Sequence, residues 1–95
     1  MGPPKNVSQI KLMSYFVYLI GSRKHQKTTT YVGYTNNLKK RIKLHNEGRG
    51  AKFTRGRKWK LIYYEKYKTK RKAMTREYYI KKNREVRSLL KNKHL

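Results

Sequence analysis

Cysteine is absent from this chain, and so is aspartate. Without cysteine there is no disulfide framework, no thiol nucleophile and no cysteine-rich zinc module. The histidines, His25, His45 and His94, are too scattered to form a structural zinc site. The only carboxylates are Glu47, Glu65, Glu77 and Glu85. A two-metal centre needs several clustered acids, which this chain can hardly supply. Any metal chemistry is therefore expected to use one hard divalent ion, held by a single Glu together with waters and a substrate phosphate. Apolar runs are short as well. The longest lies within residues 15–20, far below the ~20 residues that span a membrane. Residues 1–4 lack the hydrophobic region of a signal peptide, and Asn6 stands where a myristoylation signal wants Ser or Thr. These absences set the expectations of no membrane, no obligatory protein partner, and a location inside the cell, cytoplasmic or nucleoid-associated.

What the chain has in excess is positive charge. Its 95 residues carry 27 Lys and Arg, for a formal net charge of +23. Such a balance speaks to partners, not to fold, and the partner it calls for is a polyanion. Nucleic acid leads, and on charge alone an RNA-coating protein or a general basic binder fits as well as an enzyme. The length suits one small domain near the lower limit for a self-sufficient core. Nine Tyr, two Phe and one Trp give that core large buried area per residue.

Residues 1–14 contain two prolines and no clear period, and read as a loose N-terminal tail, leaving 15–95 as the domain. Residues 15–20 are apolar at every position and rich in aromatic and β-branched side chains, as suits a strand buried on both faces. Residues 21–30 read as a polar connection, and residues 31–34 as a second strand forming a hairpin with the first. Asn36 or Asn37 caps a helix that Gly48 ends. Residues 48–57 form a flexible basic loop. Residues 61–67 make a third strand, Thr69 caps a second helix, and Asn83 separates it from a short basic helix starting at Arg84. The order β-β-α-β-α-α predicts an α+β domain, a small three-stranded sheet flanked by helices.

Both longer helices put charge where carbon is expected. In the first, Leu38, Ile42 and Leu44 bound an apolar arc, and Arg41 and His45 fall inside it. In the second, Ala73, Glu77 and Ile80 share one stripe. An inward charge is costly unless it is paired, metal-bound or functional. One bland alternative is a structural Arg41–Glu77 ion pair.

Val17-Tyr18-Leu19 on the first strand, Tyr31-Val32-Gly33 on the second, Arg41 and His45 on the next helix and Glu77 on a later one resemble the GIY-YIG nuclease domain. The likeness continues through Gly50-Ala51-Lys52, Thr54-Arg55 and residues 61–65, covers residues 14–90, and is greatest to small stand-alone members. Valines (Val17, Val32) stand among the motif residues of both strands. The resemblance implies a metal-dependent endonuclease acting on DNA. The alternatives are a non-catalytic nucleic-acid-binding module and an RNA-directed nuclease.

By that resemblance Tyr18 is the general base and His45 receives or relays its proton, while Tyr31 positions water or substitutes as base. Arg41 clamps the scissile phosphate, and Glu77 holds a single Mg²⁺ or Mn²⁺. A phenol titrates near 10, so Arg41 and the metal are expected to lower Tyr18. Gly33 lets backbone or substrate approach its strand closely. Arg49, Lys52, Arg55 and Arg57 are expected to contact the phosphate backbone. Tyr34 serves either packing or substrate stacking, and Trp59 either stacks on a base or anchors the third strand.

Overall fold

The first strand sets the architecture. In the computed structural model, which describes residues 13–94, β1 (Tyr15–Lys24) lies between β2 (Lys27–Thr35) and β3 (Lys60–Tyr67) in an antiparallel sheet of order β2-β1-β3. Because side chains alternate along a strand, a central strand that is apolar throughout must be covered on both faces. Val17 and Leu19 face one cluster with Val32, Ile62, Ala73 and Ile80. Tyr18 and Ile20 face the other with Trp59, against which Tyr31, Leu38 and Ile42 pack.

Three helices provide that cover. Helix α1 (Leu38–Asn46) starts at Asn37, whose side chain accepts from Lys40 N at 3.1 Å. It lays Leu38 and Ile42 on the Tyr18 face of the sheet. Helix α2 (Lys70–Lys82) starts at Thr69, whose hydroxyl accepts from Lys72 N at 3.2 Å, and buries Ala73 and Ile80 on the other face. Asn83 interrupts the helix in an extended conformation, and its side chain accepts from Val86 N to start α3 (Arg84–His94). The α+β class and the β-β-α-β-α-α order are those expected from the sequence. None of these helices is long and apolar enough to cross a membrane. The expected N-terminal tail lies, up to residue 12, outside the described residues.

The hairpin departs from expectation. Residues 21–30 are not a polar connection but continue both strands to a two-residue turn at His25–Gln26. Thr28, Thr29 and Thr30 pair with Arg23, Ser22 and Gly21, and a threonine run is β-branched strand sequence despite its polarity. Both turn residues have positive φ, 53° and 65°. That is the combination a tight hairpin turn requires to match the strand twist, here without the glycine that would have announced it.

A carboxylate clamp fixes α2 on the sheet. Glu65 on β3 accepts from Tyr63 and Tyr67 hydroxyls, both at 2.5 Å, and from Arg76 Nε and Nη2 at 2.8 and 3.0 Å. Burial pushes the Glu65 carboxyl up, but the hydrogen bonds from Arg76, Tyr63 and Tyr67 outweigh it and hold it below 4.5. Burial and the same carboxylate push Tyr67 up to about 12. Arg76 precedes Glu77, so the clamp also sets the register of the helix that carries Glu77. Glu65→Gln should lower unfolding free energy by about 2–3 kcal/mol, since hydrogen bonds to a charged group are among the stronger ones. Urea denaturation measures this. A depressed native pKa adds stability above the ordinary carboxylate range, lost as pH falls through the native value. The difference between wild type and variant should therefore shrink below pH 4.5.

Candidate active site

A cleft of about 490 Å³ opens where the Tyr18 face of the hairpin, α1 and α2 meet. Tyr18, Tyr31, Gly33, Arg41, His45 and Glu77 all line it, brought from two strands and two helices. Lys70 adds a second cation, and Tyr34, which also packs on the Val17 cluster, forms part of the wall. Among the described residues Glu77 is the one carboxylate lining the cleft; its side chain is 17% exposed and lies 3.7 Å from Lys81 Nζ. The ion pairs of the described residues do not join Arg41 to Glu77, so the structural ion-pair alternative fails. Arg41 and Glu77 present opposite charges to one space.

At the floor, a hydrogen-bonded chain runs from the cleft into the protein. Tyr18 Oη lies 2.8 Å from His45 Nε2, His45 Nδ1 lies 2.8 Å from Thr54 Oγ1, and the Thr54 hydroxyl donates to Ala51 O at 3.0 Å. Tyr18, His45 and Thr54 are 2%, 1% and 0% exposed. The proton positions follow from counting. Thr54 has one hydroxyl proton and gives it to a carbonyl, which cannot donate, so its oxygen must accept from Nδ1–H. His45 is then the Nδ1–H tautomer, and its Nε2 lone pair accepts from the Tyr18 hydroxyl.

Two glycines make room for this chain. Gly33 sits opposite Tyr18 in the hairpin register, and a Cβ there would lie 2.5 Å from Tyr18 Cζ. The space that Gly33 leaves is therefore filled by the Tyr18 ring, and not by substrate or another backbone as its place in the motif suggested. A Cβ on Gly50 would lie 2.7 Å from His45 Cγ, so the loop after α1 can close over the imidazole only with glycine there.

Burial shifts both rings. Desolvation pushes the Tyr18 phenol well above its ordinary value of 10, Tyr31 and Glu77 add to the rise, and Arg41 opposes it. The expected lowering by Arg41 is real but is outweighed by burial of the ring. His45 is held below 6.5, by burial first and by Arg41 second, so at neutral pH it is an uncharged acceptor. Tyr31 stands differently: its ring packs edge-on against His45 at 5.2 Å and nearly parallel to Phe53 at 6.0 Å. No hydrogen bond of its hydroxyl occurs among the described residues.

The basic loop is pinned where a flexible one was expected. Trp59 is buried, its Nε1 donates to Thr54 O at 2.8 Å, and its backbone N and O bond to the Asn46 side chain at 2.5 and 3.1 Å. Trp59 thus anchors the start of β3 and presents no face for a base. The loop is held at Thr54 and Trp59, leaving Lys52 and Arg55 exposed on its surface. Arg49 is also exposed, 3.7 Å from Glu47, while Arg57 is half-buried with its Nη1 unpartnered. None of these four lines the cleft. If they contact the phosphate backbone, replacing Lys52 and Arg55 together with Ala should weaken every nucleic acid about equally. The slope of log K against log salt should flatten by about one per lost contact. A selective loss for one nucleic-acid structure, at constant slope, would mean that the loop reads shape.

Known proteins resemble this chain over most of its length. The model of the GIY-YIG catalytic domain matches residues 14–89. The chain belongs to the GIY-YIG family. Among its relatives is the UPF0213 protein CPE1444 of Clostridium perfringens, 54% identical over 70% of each chain. The UPF0213 protein YazA of Bacillus subtilis is 47% identical over 73% of this chain and 68% of that one. The solution NMR structure of the UPF0213 protein BH0048 from Bacillus halodurans is 36% identical, covering 86% of this chain and 87% of that one, with a TM-score of 0.48. Membership places the chain in a nuclease superfamily whose substrates are nucleic acids, as the motif resemblance implied.

Sequence reasoning passes over Thr54, Gly50 and Lys70 as parts of the site. Thr54 and Gly50 lie in a Lys/Arg/Gly-rich segment without periodicity, where nothing marks one threonine as buried. The one available signal is the likeness to the GIY-YIG domain, which continues through Gly50-Ala51-Lys52 and Thr54-Arg55 without giving either residue a role.

Proposed function

We propose that this GIY-YIG protein is an endonuclease that hydrolyses phosphodiester bonds in DNA inside the cell, with Tyr18, His45, Arg41 and Glu77 as its working groups. The observation that carries the proposal is the Tyr18–His45–Thr54 chain, set at the floor of a cleft whose walls hold Arg41 and Glu77. In this reading the attacking water gives its proton to Tyr18 Oη as the Tyr18 proton passes to His45 Nε2. The phenol never has to persist as a phenolate, which its raised pKa disfavours. His45 is the ultimate acceptor, and Thr54 holds it in the receptive tautomer. Arg41 faces the phosphate, where its charge counts most as the transition state gains negative charge. A bound phosphate also neutralises Arg41, removing one of the two causes that lower His45, so substrate binding raises the basicity of the acceptor when it is needed.

The donor set fits a divalent ion of the Mg²⁺ or Mn²⁺ kind: one carboxylate, Glu77, in an open cleft with room for water and phosphate oxygens. When bound, such an ion would relieve negative charge on the reacting phosphate and the leaving oxygen. A pure binding module gains nothing from a carboxylate turned toward its polyanion, which favours the enzyme. The direct test is incubation with labelled single-stranded, duplex, flapped and branched DNA and with RNA, in Mg²⁺, Mn²⁺ or EDTA. Metal-dependent cleavage of DNA is expected, and no cleavage of any substrate would refute the assignment.

The tautomer argument yields a separate prediction. Thr54→Val removes the acceptor for Nδ1–H and should cut the plateau rate by about 10- to 100-fold, by analogy with the range for residues that orient a metal-bound imidazole. Thr54→Ser, which restores the hydroxyl, should recover most of it. In the wild type, kcat/KM should rise with pH through one acid limb with its midpoint below 6.5, because only neutral His45 accepts. With Tyr18 pushed up, the profile should stay level through about pH 9. An acid limb centred above about 7 would contradict the role given to His45.

A further inference from the structure

Beside the cleft, a second groove of about 400 Å³ runs along the open edge of β2, lined by Thr30, Tyr31, Val32, Phe53, Lys81 and Arg87. Its composition is unusual for so basic a surface. Phe53 is 60% exposed, on a loop crowded with cations, and its ring lies nearly parallel (21°) to that of Tyr31. Across the groove, Arg87 is fixed by hydrogen bonds from Nη1 to Ile80 O at 3.1 Å and to Lys81 O. A single exposed Phe is ordinary. An exposed ring backed by a second ring, facing a fixed guanidinium and a lysine, is the combination by which proteins take single-stranded nucleotides, with base on aromatic face and phosphate on cation.

Tyr31 lines both this groove and the cleft, so the two adjoin at this residue. A strand whose scissile phosphate lay between Arg41 and Glu77 would carry its neighbouring nucleotide past Tyr31 and onto Phe53. We propose that Phe53, Tyr31, Lys81 and Arg87 form a subsite for one unstacked nucleotide next to the scissile phosphate, making single-stranded nucleic acid the preferred substrate. This rests on the nuclease reading above for the position of the cleavage site. A base in an intact duplex has both faces covered by its neighbours, and exposing one costs unstacking energy. A base in a single strand reaches the shelf without that cost.

Binding in EDTA tests the subsite without requiring cleavage. The probes are a labelled oligothymidylate of about eight nucleotides, an abasic oligomer with the same phosphates, and a duplex of equal length, followed by fluorescence anisotropy. Wild type should bind the oligothymidylate about tenfold more tightly than the abasic oligomer, the order of one stacked base. Phe53→Ala should lose that preference with its salt slope unchanged, Phe53→Trp should keep it, and duplex binding should respond little to either. Because Phe53 is exposed, neither substitution should disturb folding, which circular dichroism checks. Equal wild-type affinity for thymidylate and abasic oligomers would overturn the subsite. So would a preference retained in Phe53→Ala, which would leave the edge of β2 to an extended peptide instead. Equal weakening of duplex and single strand by Phe53→Ala would overturn the preference for unpaired substrate. The nuclease reading fails on a different result, the absence of metal-dependent cleavage by wild type.

Discussion

Glu77→Gln is expected to reduce DNA cleavage by about 10³-fold or more while leaving fold and DNA affinity intact. The magnitude follows from removing the only carboxylate that lines the cleft among the described residues: a divalent ion held there would supply several kcal/mol of charge stabilisation to the transition state, and each ~1.36 kcal/mol is worth a factor of ten. The fold should survive because Glu77 makes only a 3.7 Å contact with a largely exposed lysine, a type of pair worth a few tenths of a kcal/mol. Affinity should hold or rise, since the substitution removes a negative charge from the surface proposed to face phosphate. The informative measurement is therefore a pair: single-turnover cleavage with Mg²⁺ or Mn²⁺, and equilibrium binding in EDTA. A Gln variant that cuts normally, or wild type that cuts in excess EDTA, would remove the metal from the mechanism. Arg41→Ala provides the contrast. It should also reduce turnover more than binding, but with affinity falling and not rising, because the charge lost is positive.

Glu77 is legible in the amino-acid sequence and Thr54 is not, and the difference is one of periodicity. A helix repeats every ~3.6 residues, so Glu77 between Ala73 and Ile80, or His45 beyond Ile42, stands out against the hydrophobic stripe it interrupts. The cleft does collect Arg41, His45 and Glu77 from those two stripes. Strand β1 is legible for a similar reason: apolar at every position from 15 to 20, it has to be central. Residues 47–59 have no repeat to violate. There the buried anchors Thr54 and Trp59 and the exposed Phe53 look alike in sequence, although one ends the hydrogen-bonded chain from Tyr18, one holds the strand and one opens toward solvent. At the hairpin, polarity misleads. Threonines near a Lys- and Arg-rich turn look like a loop, but their β-branched backbone preference and the left-handed His25–Gln26 pair carry the ladder to its end. Ring pKa values are hidden for another reason. Arg41 suggests a lowered Tyr18, yet whether a nearby cation or loss of water dominates depends on how deeply the ring is buried, and one-dimensional pattern does not contain that depth.

Tyr18→Phe should lower the cleavage rate by about 10²- to 10⁴-fold, the range spanned by general acid–base catalysis, and Tyr31→Phe should cost much less. The asymmetry comes from geometry. Tyr18 Oη is in contact with His45 Nε2, while Tyr31 meets the same imidazole only with its ring, 5.2 Å between centroids. In the proposed mechanism, removing the Tyr18 hydroxyl breaks the route from water to acceptor; removing the Tyr31 hydroxyl leaves that route whole and its ring still stacked on Phe53. Stability should fall by about 1 kcal/mol in Tyr18→Phe, because Nε2 loses its buried donor while the ring still fills the space beside Gly33. The residual activity should also lose the acid limb assigned to His45, since an imidazole that no longer receives the proton has no reason to control the rate. This pH readout separates a broken relay from a merely loosened site, which would lower the plateau and keep the limb. Should Tyr18→Phe cut at the wild-type rate while Tyr31→Phe is inactive, the base is Tyr31, and the buried chain from Tyr18 to Thr54 serves only to pack the floor of the cleft.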